Sequence, residues 1–99
     1  MASARFDCAE VSPGISESSE FTMGSDNQIN LAFEADKCVS AWLEYSITSG
    51  DSTLIGKFKV LPFNRTMDTN NKLMLPNGAK FKVVASVGRG GYFKGFVYY

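Results

Sequence analysis

The 99-residue chain contains no histidine. That absence removes Ser-His-Asp and Cys-His catalysis, histidine-bearing zinc sites and the ordinary proton shuttle near neutral pH. Proline is scarce, at three residues, and tryptophan occurs once, as Trp42. Apolar runs extend for only a few residues, so no segment offers the roughly twenty needed for a membrane-spanning helix. The opening MASARFDCAE has no apolar stretch of the kind a secretory signal carries. Two readings follow: a cytosolic protein, or one whose signal has been removed. Cysteine is limited to Cys8 and Cys38, at a spacing with neither CxxC nor zinc-ligand character. An even pair with one member near the N-terminus points to a disulfide pinning a terminal segment, as in exported domains. Such a bond would close a loop of roughly thirty residues and stabilise the fold by about 3 kcal/mol. The alternative is two separately buried thiols in a reducing compartment.

What the chain does have is apolar and aromatic residues in alternation. Hydrophobic residues make up 44% of it, with eight Phe and four Tyr, enough for one modest core in a single domain spanning residues 1–99. In Asn27–Ala35, Ile29, Leu31, Phe33 and Ala35 share one side. In Val39–Ile47, Val39, Ala41, Leu43, Tyr45 and Ile47 point inward while Ser40, Trp42, Glu44 and Ser46 point outward. Thr53–Leu61 places Leu54, Phe58 and Val60 against Ile55, Lys57, Lys59 and Leu61. Ala79–Val87 places Phe81, Val83, Ala85 and Val87 against Lys80, Lys82, Val84 and Ser86. A period of two is the mark of antiparallel strands with one face buried.

Turn residues separate these runs: Gly24–Asn27, Ser49–Ser52, Pro76–Gly78 and Gly88–Gly91. Glycine and asparagine supply the positive φ that tight hairpins require. Shorter strands are predicted at Arg5–Ala9, Ser19–Met23 and Lys72–Leu75, with Val11–Ser19 a connecting loop and Tyr92–Tyr98 the last strand. No segment shows helical periodicity. The expectation is an all-β protein, a two-sheet antiparallel β-sandwich of immunoglobulin-like or Greek-key architecture with about seven or eight strands. Its core is assigned to Phe33, Leu43, Phe58, Phe81 and Val83.

Ten acidic and ten basic residues cancel, but they are divided along the chain. Up to Asp51, nine acids face only Arg5 and Lys37; from Ser52 onward, Asp68 alone opposes eight bases. A division of this kind can mark a polyanion-binding face. The simpler reading is that early and late strands interleave and neutralise one another. The strongly acidic first half argues against nucleic acid as a partner, although lysines among aromatics suit single strands.

No spacing marks a catalytic pair of carboxylates. Gly88-Arg89-Gly90-Gly91 opens no helix, so it lacks the geometry of a phosphate loop. The chain therefore reads as a non-enzyme with no cofactor and no resident metal, the oxygen-rich turns at Asp26, Asp51 and Asn77 being ordinary turn formers. Asn64-Arg65-Thr66 fits the glycosylation acceptor pattern. The candidate binding residues are Trp42, Lys57, Lys59, Lys80, Lys82, Tyr92, Lys94 and Tyr98. They occupy outward strand positions, and the last strand is aromatic on both parities, more apolar than a wet face needs. The leading functional expectation is a non-catalytic, exported recognition module, secreted or at the cell surface. It would bind a glycan or protein partner through an aromatic and basic sheet face. Two alternatives are a structural subunit of a larger, self-associating assembly, such as a virion, tail or surface layer, and a small secreted toxin or antimicrobial protein.

Overall fold

Every regular element among the described residues is a strand. The computed structural model describes residues 2–61 and 71–99; Asn64-Arg65-Thr66, with its acceptor asparagine, and Asp68 lie outside these. The elements are β1 (Ser3–Asp7), β2 (Ala9–Ser12), β3 (Ile15–Glu17), β4 (Phe21–Thr22), β5 (Gln28–Ser49), β6 (Ser52–Leu61), β7 (Asn71–Met74) and β8 (Lys80–Tyr98). All pair antiparallel in one eight-stranded sheet. The expected division into two sheets, immunoglobulin-like or Greek-key, is not demonstrated: the hydrogen bonding is continuous because β5 and β8 run through the whole sheet.

The two long strands organise everything else. Asn30–Asp36 of β5 pairs with Tyr92–Tyr98 of β8, and Cys38–Ser46 pairs with Lys80–Val87. Around the first pair lie β1, against β8, and β7, against β5. Around the second lie β3 and β4, against β8, β2 outside β3, and β6 against β5. The sheet thus has two arms joined at a corner where Lys37 alone stands opposite residues 88–91.

That corner is sharp. A straight strand as long as β8 would measure about 60 Å, yet the longest dimension of the molecule is 41 Å. The rings of Phe81 and Tyr99, eighteen positions apart, lie 5.6 Å apart, with Phe21 5.4 and 5.5 Å from them. Such a contact requires β8 to fold back on itself. Gly90 (φ 79°) and Lys37 (φ 53°) both adopt left-handed backbone at the corner, where an inserted residue bends a strand. The predicted Gly88–Gly91 turn is therefore a bend inside one strand, and the predicted Asn27–Ala35 and Val39–Ile47 strands are likewise one.

Folding the arms together buries Ile29, Leu31, Phe33, Leu43, Phe81, Val83, Phe93 and Val97, each at most 1% exposed, in one cluster. Phe93 is the hub, with Phe33 at 4.9 Å and Phe6 at 5.7 Å, separations at which aromatic pairs attract. Four of the five expected core residues are buried; Phe58 is only half-buried at the cluster's margin.

Bulges explain the residues whose facing departs from simple alternation. Cys38 pairs with Val87 and Ser40 with Ser86, leaving Val39 as an extra residue that turns outward, 72% exposed. Ala41 pairs with Leu61 and Trp42 with Lys59, so Val60 is extra and both Val60 and Leu61 are buried. Leu54, expected inward, is 62% exposed near the β5–β6 hairpin. The expected Val11–Ser19 loop is largely the β2–β3 hairpin, turned at Pro13-Gly14 with Gly14 at φ 79°.

The disulfide is corrected: Cys8 and Cys38 are free thiols, not close enough to bond. Cys8 lies between β1 and β2, its N–H donating to the Phe93 carbonyl at 3.1 Å, and its Sγ is 3.7 Å from the Val83 carbonyl. Cys38 is held at the corner, 3% exposed, with Sγ 3.3 Å from the Ser40 carbonyl. Burial pushes the Cys8 thiol up from 9.0 to about 12, with Asp7, Cys38 and Glu17 adding to the shift. Burial also raises Cys38, against a smaller opposing effect of its contact to Ser40.

Candidate recognition surfaces

Because the sheet folds over its core, the outward side chains form two separate faces, one per arm. The eight candidate residues divide between them. Trp42, Lys57, Lys59, Lys80 and Lys82 belong to the arm built on Lys80–Val87, and Tyr92, Lys94 and Tyr98 to the arm built on Tyr92–Tyr98.

On the first face, register sets charges in a row. Glu44 of β5 stands opposite Lys57 of β6 on one side and Lys82 of β8 on the other. Lys82 in turn bridges to Glu17 of β3 at 3.1 Å. The sequence Lys57, Glu44, Lys82, Glu17 alternates sign across four strands, each cross-strand pair contributing about 0.2–1 kcal/mol. Next to this row Trp42 Nε1 donates to Glu44 Oε2 at 3.3 Å, and Lys57 Nζ lies 5.1 Å from the centre of the Trp42 ring. Beneath lies Val84, 2% exposed, directly opposite both Trp42 and Glu17. Lys80 and Lys82 border a depression of about 180 Å³ shared with Glu20, Glu44 and Ile55.

The second face repeats the motif. Lys94 stands between Asp7 of β1 and Glu34 of β5, with a 3.6 Å contact to the Glu34 carboxylate. Lys94 Nζ lies 4.6 Å from the centre of the Tyr92 ring, and the Arg5 guanidinium 5.4 Å from that of Phe96. Arg5, Asp7, Glu34, Lys94 and Phe96 line a depression of about 260 Å³. Tyr98 sits between Ser3 and Asn30, half-buried. Phe96 and Tyr92 are 43% and 37% exposed.

Acidic strands from the first half of the chain thus alternate in space with basic strands from the second, which removes the apparent charge division. Arg5 and Phe96 are additions to the eight candidates. Phe96 shares the parity of Tyr92, Lys94 and Tyr98 and was legible; Arg5 reaches it only through the long-range β1–β8 pairing. Among the described residues no group of three or more His, Cys, Asp or Glu is placed to hold a metal ion. No described helix is long and apolar enough to cross a membrane. Comparison with known protein families, with curated proteins and with solved structures found no match.

Proposed function

We propose that this all-β domain is a non-catalytic recognition module that binds a protein partner through the Arg5–Tyr92–Lys94–Phe96 face. One observation carries the reading: the partly exposed Phe96 ring, beside the Arg5 guanidinium, borders a depression flanked by the Asp7 and Glu34 carboxylates, and Lys94, which also lines it, lies over the partly exposed Tyr92 ring. Aromatic residues and arginine are enriched at protein interfaces and dominate their energetics. A glycan would stack on a bare ring, whereas here Arg5 and Lys94 lie over the ring faces, which favours the protein reading. With both thiols free, the cysteines no longer argue for export, and the recognition role does not depend on compartment.

Phe96→Ala and Arg5→Ala, checked for unchanged secondary structure and thermal midpoint, are to be compared with the parent for capture of partners from the source organism, alongside a glycan array. Loss of a specific protein partner in both variants supports the reading. Unimpaired capture by both removes this face from the interaction, and a glycan that binds the parent but not the variants replaces the protein reading.

A further inference from the structure

The strand β6 ends the sheet order β2-β3-β8-β5-β6, and no described strand pairs with its outer edge. Such an edge offers unpaired N–H and C=O groups to any extended chain, and proteins ordinarily blunt it with lysines, proline or a bulge. On β6 those devices are confined to one end: Lys57, Lys59 and the bulge at Val60. The other end, Ser52–Gly56, has no charge, no proline and no bulge, and it exposes Leu54 at 62% and Ile55 at 69%.

The flanking charges say what fits there. Asp51 precedes the neutral stretch and Lys57 and Lys59 follow it, an order that is complementary to itself when reversed. We propose that β6 is a self-association edge, on which two copies of this chain pair antiparallel about a two-fold axis. An axis normal to the sheet keeps equivalent faces on the same side, so residue positions pair with an even sum. Centring on Leu54 places Asp51 opposite Lys57 of the other copy; centring on Ile55 places it opposite Lys59. Both centres keep the lysines of the two copies away from each other, whereas a centre on Phe58 would crowd them. The two-fold repeats each ion pair and sets the two Trp42–Lys57 faces side by side on one continuous sheet. This association involves a different strand edge from the proposed partner face and stands without it.

Sedimentation velocity of the full chain over a concentration series, at low and high salt, tests this. A monomer–dimer equilibrium weakened by salt is expected. Ile55→Lys adds a charge at the pairing edge and Asp51→Lys makes two like-charge pairs. Each should weaken the dimer by about tenfold or more without unfolding the chain, since both side chains are exposed. Asp51→Lys combined with Lys57→Glu and Lys59→Glu should restore it. In separate variants, Leu54→Cys or Ile55→Cys should cross-link to its own copy according to the register adopted. A monomer at every concentration, an open-ended series of oligomers, or a dimer indifferent to Ile55→Lys and Asp51→Lys overturns the proposal.

Discussion

Gly95 is where the pairing of the two long strands is most sensitive to a single methyl group. A Cβ at that position would fall inside contact distance of the Ala32 carbonyl oxygen, 2.8 Å from Phe33 Cα and 3.0 Å from the Ala32 carbonyl carbon. Carbon atoms settle at about 3.5–4.0 Å, so β5 and β8 would have to part by at least about 0.7 Å in the middle of their Asn30–Asp36/Tyr92–Tyr98 pairing. The obstacle is backbone and cannot rotate away. It also adjoins the Phe33–Phe93 ring pair, so the separation would loosen the hub of the core. Overpacking of this kind costs about 1–3 kcal/mol. Replacing glycine also restricts the unfolded chain, returning about 0.4–1 kcal/mol. Gly95→Ala should therefore destabilise by about 1–2 kcal/mol, lowering the thermal midpoint by roughly 4–16 °C for a domain of this size. Gly24→Ala supplies the control, because a Cβ there meets nothing within 4 Å and only the favourable unfolded-state effect remains. Thermal and urea unfolding followed by far-ultraviolet circular dichroism measure both. Stabilities of the two variants within about 0.5 kcal/mol of each other would refute the close approach.

Three further outcomes follow from particular contacts. Cys8 should resist thiol reagents in the folded protein at mild alkaline pH and react in denaturant, where both cysteines should titrate as free thiols without added reductant. Since folding raises the Cys8 pKa from 9.0 to about 12, its contribution to stability is fully present below pH 9 and is lost as pH rises toward 12; urea midpoints across that range check the sign. Lys37→Gly relieves left-handed backbone at a non-glycine residue but frees the unfolded chain, so a net gain of about 0.5–1 kcal/mol is expected, read as a thermal midpoint a few degrees higher. A double-mutant cycle on Glu17→Gln and Lys82→Met should return a coupling of about 0.5–1 kcal/mol that shrinks in high salt, because the pair is half-buried on the outer face; zero coupling at low salt would remove the bridge from the stability of β3.

Alternation was enough to read the all-β class, most strand positions and most of the core, because each arm obeys the period-two rule over six or more residues. Phe33, Leu43, Phe81 and Val83 are buried for that reason. The rule fails where a residue is inserted. A bulge shifts facing without changing composition, so Val39 and Leu61 look identical in sequence to residues on the opposite side. Glycine carries a related ambiguity. Gly88-Arg89-Gly90-Gly91 has the composition of a hairpin turn, and local chemistry is indifferent to whether the chain reverses there or bends and continues. Only the partner strand decides, since Lys37 bends at the same place.

The candidate surface was legible by residue type and not by assembly, for the same reason. Outward parity singled out Trp42, the paired lysines and Tyr92, Lys94 and Tyr98, but parity is defined within a strand and has no memory of the corner between strands. Once β8 folds, residues before Gly88 and after Gly91 face opposite ways, and one supposed surface becomes two. The corner also accounts for the charges. Each arm of β8 is basic on its outer side and is flanked by acidic residues from β1, β3 and β5, giving Glu17–Lys82 on one face and Glu34–Lys94 on the other. The outer edge of β6 is the exception: it faces no acidic described strand, so Lys57 has a carboxylate, Glu44, on its inner side only and Lys59 stands opposite Trp42, whereas Lys82 and Lys94 have carboxylates on both sides. An edge left with surplus positive charge, beside an unguarded neutral stretch and an exposed Asp51, is complementary to a reversed copy of itself.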